Sequence, residues 1–191
     1  PSRLDAGGAE FDLSLEAGGS RTVMLTVSCA AGDAEAPVGM AMAIRRATRA
    51  RRARAQAATH IYTTNELFNE WANQAHADLV MLTTETPQGP YPYAGTPWFT
   101  CPFGRDALIV GLMTLWADPA LSRGVLNFLA AHQATGTDPR RDAQPGKIVH
   151  EMRHGEMAAT GEVPFAAYYG SVDATPLFVV LAGAYWQRTR D

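Results

Sequence analysis

Tyr91-Pro92-Tyr93-Ala94-Gly95-Thr96-Pro97-Trp98-Phe99-Thr100-Cys101-Pro102-Phe103-Gly104-Arg105-Asp106 leads straight into an apolar helical run, Ala107 to Trp116. Aromatic rings punctuated by proline and glycine end here in a guanidinium beside a carboxylate. Proline and glycine hold such a loop in place at little entropic cost. Aromatic faces next to fixed polar forks suit a ligand that is apolar on its faces and hydroxylated at its edge, as a sugar ring is. The plainer alternative is a hairpin connection that ends in an acid at a helix N-terminus.

Outward from this loop the pattern is helical. Thr63-Thr64-Asn65-Glu66 has capping-box spacing, with Thr63 as the expected N-cap and Glu66 reaching back. It opens a helix to about Thr84 with Leu67, Trp71, Ala75, Leu79 and Leu82 on one stripe. Asp118-Pro119, an N-cap followed by proline, opens another that carries Leu121, Val125, Phe128 and Leu129. After a loop-rich section over 134–172, Thr175-Pro176 starts a last helix to about Arg188, with Leu177, Val180, Leu181 and Ala184 inward. An array ending on an amphipathic helix reads as cut short.

Upstream, residues 9–15 and 21–29 alternate in polarity around Gly18-Gly19-Ser20, which predicts a half-buried antiparallel hairpin. A lone hairpin is marginal in water and needs a sheet to join. Residues 37–58 have a strong helix composition, with Arg45, Arg46, Arg49, Arg51, Arg52 and Arg54 crowded together. A basic helix can serve nucleic acid or membrane. Here the basic residues are sparse elsewhere and bring no aromatic stacking set, so a solvated linker helix is the expectation.

The 191 residues are 47% hydrophobic and 18% charged, with a net charge of −3. That composition is globular and gives no reason to expect a polyanionic partner. No apolar run approaches the roughly 18 residues of a membrane span. Pro1 to Gly8 lacks both the apolar core of a signal peptide and an initiator Met, so the natural start is expected elsewhere. Cys29 and Cys101 set no disulfide framework and suit a reducing cytoplasm.

His150-Glu151-Met152-Arg153-His154 matches the zinc-peptidase pattern, in which two histidines one helical turn apart bind the metal. Pro145-Gly146 before it and Gly155 after it leave little room for the required helix, and Arg153 sets a cation beside a ligand. No third ligand stands at a convincing offset. The wider segment, with Lys147, His150, Glu151, Arg153, His154 and Glu156, alternates in charge. It reads as a self-satisfied polar network, with a polyol site as the alternative.

Three segments together resemble one family. Trp98 to Asp106 is similar to the aromatic-Gly-Arg-Asp motif of glycogen-debranching-type amylo-α-1,6-glucosidases. Pro145 to Glu156 and Tyr168 to Phe178 resemble the next two blocks of its bacterial members, in the same order. The resemblance runs from about residue 9 to the end. It implies a mainly α chain, a partial (α/α)6 six-hairpin toroid preceded by a β-hairpin remnant of an N-terminal β-sandwich. Residues 1–33 would be the last sandwich strands, 34–60 the Arg-rich linker helix and 61–191 the first part of the toroid.

By the same resemblance, Arg105 and Asp106 hold the hydroxyls of the terminal glucose, and Tyr169 and Asp173 line its pocket. Trp98 and Phe99 serve as ring platforms, flanked by His150, Glu151, Arg153 and His154. The implied reaction is inverting hydrolysis of an α-glucoside or oligosaccharide, with one acid protonating the leaving oxygen and a carboxylate activating water. The family's acid and base blocks lie further on, so this chain is expected to bind glucose without a complete catalytic pair. Asp106 is a poor substitute acid, because a helix N-terminus and Arg105 both favour a charged carboxylate. No cofactor or metal is implied, nor any nucleic-acid or membrane partner. The apolar helix faces would be covered by further barrel helices or by a second copy of the chain. A non-catalytic carbohydrate-binding module is the alternative.

Overall fold

The computed structural model describes residues 1–5, 7–24, 38–57 and 59–191, the side chains at 54–57 excepted. Helix dominates, joined by two small antiparallel sheets. The chain divides into two compact units, Pro1–Ala50 and Arg51–Asp191.

In the first unit, β1 (Arg3–Asp5) pairs with β2 (Gly8–Glu10), placing Leu4 opposite Ala9. Both strands are exposed throughout. The hairpin expected across Gly18-Gly19-Ser20 is not formed among the described residues. A turn does close there, Gly19 N–H donating to Glu16 O at 2.8 Å, but residues 11–24 carry no strand, and Phe11, Leu13 and Leu15 are exposed. The expected partner residues 25–29 lie outside the described residues. Without a sheet to bury one face, alternation alone does not hold a ladder together. The Arg-rich segment is helical as expected, α1 (Met40–Ala57), crossing the division between the units.

In the second unit, α2 (Glu66–Leu82) starts from Asn65, whose side chain accepts from Phe68 N–H at 3.1 Å. The Thr63 capping box is therefore not formed. Thr63 instead donates its N–H and hydroxyl to Oδ1 of Asn69, which returns a bond from Nδ2 to Thr63 O at 2.8 Å. Asparagine caps as well as threonine does, and the amide of the buried Asn69 draws Thr63 out of the capping role. Leu67 and Trp71 on the expected stripe stand exposed.

The helix also stops two residues early. Thr83–Thr86 forms β3, which returns through Pro87-Gln88 to β4 (Gly89–Pro92), pairing Thr84 with Tyr91. Gly89, at φ 120°, makes the turn. A run of β-branched residues before a Pro-Gln-Gly turn favours strand over a last helical turn.

Next come α3 (Gly104–Thr114), α4 (Pro119–Ala131), the short α5 (Glu156–Ala159) and α6 (Ala174–Thr189). Asp118 caps α4 as expected, accepting from Leu121 N–H at 3.2 Å. Helices α3, α4 and α6 pack on one another, and β4 lies against α4. Gly124 permits that approach, since an added Cβ would overlap Pro90. The core holds Tyr91, Leu108, Val125, Leu129, Ile148, Val149 and Leu181. Leu121, Val125, Phe128 and Leu129 are buried as expected, whereas Val180, expected inward, is exposed.

Candidate functional site

The candidate site is assembled where the three motif segments meet. Helix α3 begins at Gly104, ahead of the apolar run that starts at Ala107, so Gly104, Arg105 and Asp106 all lie in its first turn. Gly104 lets this happen. Its N–H donates to His150 O at 2.8 Å, and any Cβ there would overlap the Val149 carbonyl. The Arg-Asp pair is thereby set beside the segment that follows Val149.

That segment is extended. Glu151 bridges Phe103 on one side and Tyr168 on the other, both antiparallel. Met152 N–H donates to Pro102 O at 3.0 Å, and Arg153 N–H to Phe165 O at 2.7 Å. His150-Glu151-Met152-Arg153-His154 is thus no helix. Residues four apart on extended backbone lie about 13 Å apart, so the two histidines do not form the one-turn pair of a zinc peptidase. Among the described residues no group of three or more His, Cys, Asp or Glu side chains is placed to hold a metal ion.

The charged side chains pair across the segments. Arg105 Nη1 donates to Asp173 Oδ2 at 3.1 Å, joining the starts of α3 and α6. Asp173 occupies the N-cap position of α6 but makes no capping bond with its side chain. Its other carboxylate oxygen takes a hydrogen bond from the Ser171 hydroxyl. That bond and the Arg105 guanidinium hold the Asp173 carboxyl below the usual carboxylate range. The two side chains remain 46% and 36% exposed, so the pair is open to a ligand. Asp106 is partly exposed on the same helical turn.

Glu151 is a different kind of acid. It is 8% exposed and closely paired with Arg153 through Nε, while Arg153 Nη1 donates to Trp98 O at 3.2 Å. This pair ties the aromatic loop to the 150–153 segment. His150 sits edge-on to Phe103 and Tyr168, ring centroids 5.8 and 6.3 Å away. Its buried Nδ1 has no hydrogen-bond partner among the described residues. Trp98 and Phe99 stand 76% and 52% exposed, their rings available as platforms.

Tyr169 lies apart from this opening. It is buried in the core, and its hydroxyl donates to His132 O at 2.9 Å. Its neighbour Tyr168 has the more accessible ring, and donates from its hydroxyl to Asp142 at 2.7 Å. In the sequence Ser171 carries one weak signal, its two-residue spacing from Asp173, typical of a Ser that bonds a nearby acid or N–H.

An open cavity of about 650 Å³ adjoins the site, and Arg153 forms part of its wall. No family model matches the chain, and no curated protein matches it.

Proposed function

We propose that this chain is the glucosyl-binding part of an α-glucoside-processing protein of the glycogen-debranching amylo-α-1,6-glucosidase type. Helices α2, α3, α4 and α6 are read as opening helices of an (α/α)6 toroid. One observation carries this reading. Segments 98–106, 145–156 and 168–178, separated in sequence, meet through the Arg105–Asp173 pair, the Phe103–Glu151–Tyr168 bridges and the Arg153–Trp98 bond.

Arg105 presents a planar fork of donors and Asp173 an ionised acceptor, a pairing suited to vicinal hydroxyls. Asp106 adds a second carboxylate, and the exposed rings of Trp98 and Phe99 offer apolar faces. The reaction assigned to the whole protein is hydrolysis with inversion. Asp173, held ionised, is not prepared to donate a proton to a leaving oxygen, and Glu151 is buried and engaged by Arg153 rather than open to a substrate. The chain itself therefore binds without turnover.

Calorimetric or NMR titration with methyl α-D-glucoside and maltotriose tests this. Binding is expected, weakened at least about tenfold in Asp106→Ala and in Asp173→Ala, the loss of one charge-assisted hydrogen bond. Absence of binding by the unaltered chain refutes the glucosyl reading. Clear hydrolysis of maltooligosaccharides by the chain alone refutes the assignment of binding without catalysis.

A further inference from the structure

The cavity beside the candidate site differs from it in chemistry. Its volume is about 650 Å³, and Tyr93, Cys101, Pro102, Met157, Val163 and Phe165 supply much of its wall. Three basic or acidic side chains, Arg153, His154 and Glu156, also line it, beside the Tyr93 hydroxyl and the Cys101 thiol. Arg153 is engaged by Glu151 and the Trp98 carbonyl, and His154 and Glu156 are exposed to solvent. Thr100, another polar contributor, gives its hydroxyl to Pro97 O at 3.1 Å. Cys101 is buried, and burial keeps its thiol protonated.

A sugar ring in such a space would leave most of its hydroxyls without partners, at a cost of about 1–3 kcal/mol for each buried orphan. An uncharged hydrocarbon group would instead lose water at no polar penalty. The space borders the aromatic loop of the glucosyl site, since Thr100 and Cys101 in its wall follow Trp98 and Phe99 in the chain, and Arg153 in its wall donates to Trp98 O at 3.2 Å. Glu151 stands on the site's backbone bridges, and Arg153, two residues on, is in the cavity wall.

We propose that this cavity receives the leaving group of the α-glucoside and selects an uncharged alkyl or aryl group over a further sugar. This rests on the glucosyl reading above and narrows its substrate class. Cavity and ring site together accommodate a small α-glucoside with an apolar aglycone better than a branched glucan.

The test uses the full chain with methyl, hexyl and 4-nitrophenyl α-D-glucosides, maltose and hexanol. Hexyl and nitrophenyl glucosides are expected to bind at least about tenfold tighter than methyl glucoside, the effect of burying two methylene groups. Maltose gains nothing over methyl glucoside. In a Cys29→Ser background, hexyl glucoside slows alkylation of Cys101 and methyl glucoside does not. Val163→Asp, with its fold checked by melting, lowers hexyl glucoside affinity by about tenfold. Methyl glucoside binding with no gain from the hexyl chain overturns the inference and leaves the glucosyl reading standing. Tighter binding of maltose than of hexyl glucoside overturns it too. Protection of Cys101 by hexanol as strong as by hexyl glucoside at equal concentration overturns the link between cavity and sugar, while the glucosyl reading stands or falls with methyl glucoside binding.

Discussion

Gly104→Ala is the sharpest test of how the site is assembled. The added methyl would overlap the Val149 carbonyl oxygen, with the Val149 carbonyl carbon at 3.2 Å and His150 Cα at 3.7 Å behind it. All three are backbone atoms, so no side chain can swing aside, and relief requires moving the 148–150 segment by on the order of 1 Å. Val149 is fully buried in the core, which resists that movement. Overpacking of this kind costs about 1–3 kcal/mol. Stretching the Gly104–His150 hydrogen bond, 2.8 Å in the native chain, adds about 1–3 kcal/mol where both groups are buried. Replacing glycine lowers the entropy of the unfolded chain and returns about 0.4–1 kcal/mol.

The net loss is about 3 kcal/mol, which for a chain of this size lowers Tm by roughly 6–12 °C. Thermal and urea unfolding followed by circular dichroism would measure it, with Gly136→Ala, which meets nothing within 4 Å, as the control. Glucoside affinity should fall in parallel, because Arg105 and Asp106 move with the helix start. A Gly104→Ala protein within about 0.5 kcal/mol of the native chain would refute the close approach of α3 to the 148–150 segment.

Two further outcomes are expected. Ser171→Ala should raise the Asp173 pKa, read from its carboxyl carbon resonance during an acid titration. In the native chain the Asp173 interaction is complete above the ordinary carboxylate range and is lost as pH falls through the lowered value; exposure limits its stability share to under about 1 kcal/mol. An unchanged titration would remove the Ser171 bond from the site. Arg153→Met strands a Glu151 carboxylate that is only 8% exposed, whereas Glu151→Gln leaves a guanidinium that still reaches water. Arg153→Met should therefore cost about 2–3 kcal/mol and Glu151→Gln about 1 kcal/mol in denaturant unfolding. The opposite ranking would contradict the buried placement of Glu151.

Much of the helical layout was legible because its signals are local. Asp118-Pro119 caps α4, and the spacing of Leu121, Val125, Phe128 and Leu129 reports the buried face. The misreadings fall where a local signal has two outcomes. Asn65 and Thr63 are both good caps, and the choice between them lies with Asn69, buried six residues on from Thr63. The Thr83-Thr84-Glu85-Thr86 run follows the helical stripe directly, and its β-branched residues pair with β4, whose Tyr91 is fully buried and donates to Phe103 O at 3.0 Å. That bond joins residues twelve apart and has no signature in either segment.

The sequence by itself determined most of the longer helices and which residues could serve as donors, acceptors and platforms. These follow from backbone preference and side-chain chemistry within a few residues. Only the tertiary structure decided what each charged group does. Asp173 and Glu151 are both acids beside an arginine in space. One stands open at a helix start, and the other is closed off under the aromatic loop. Solvent access sets their roles apart, and it depends on packing between segments far apart in the chain.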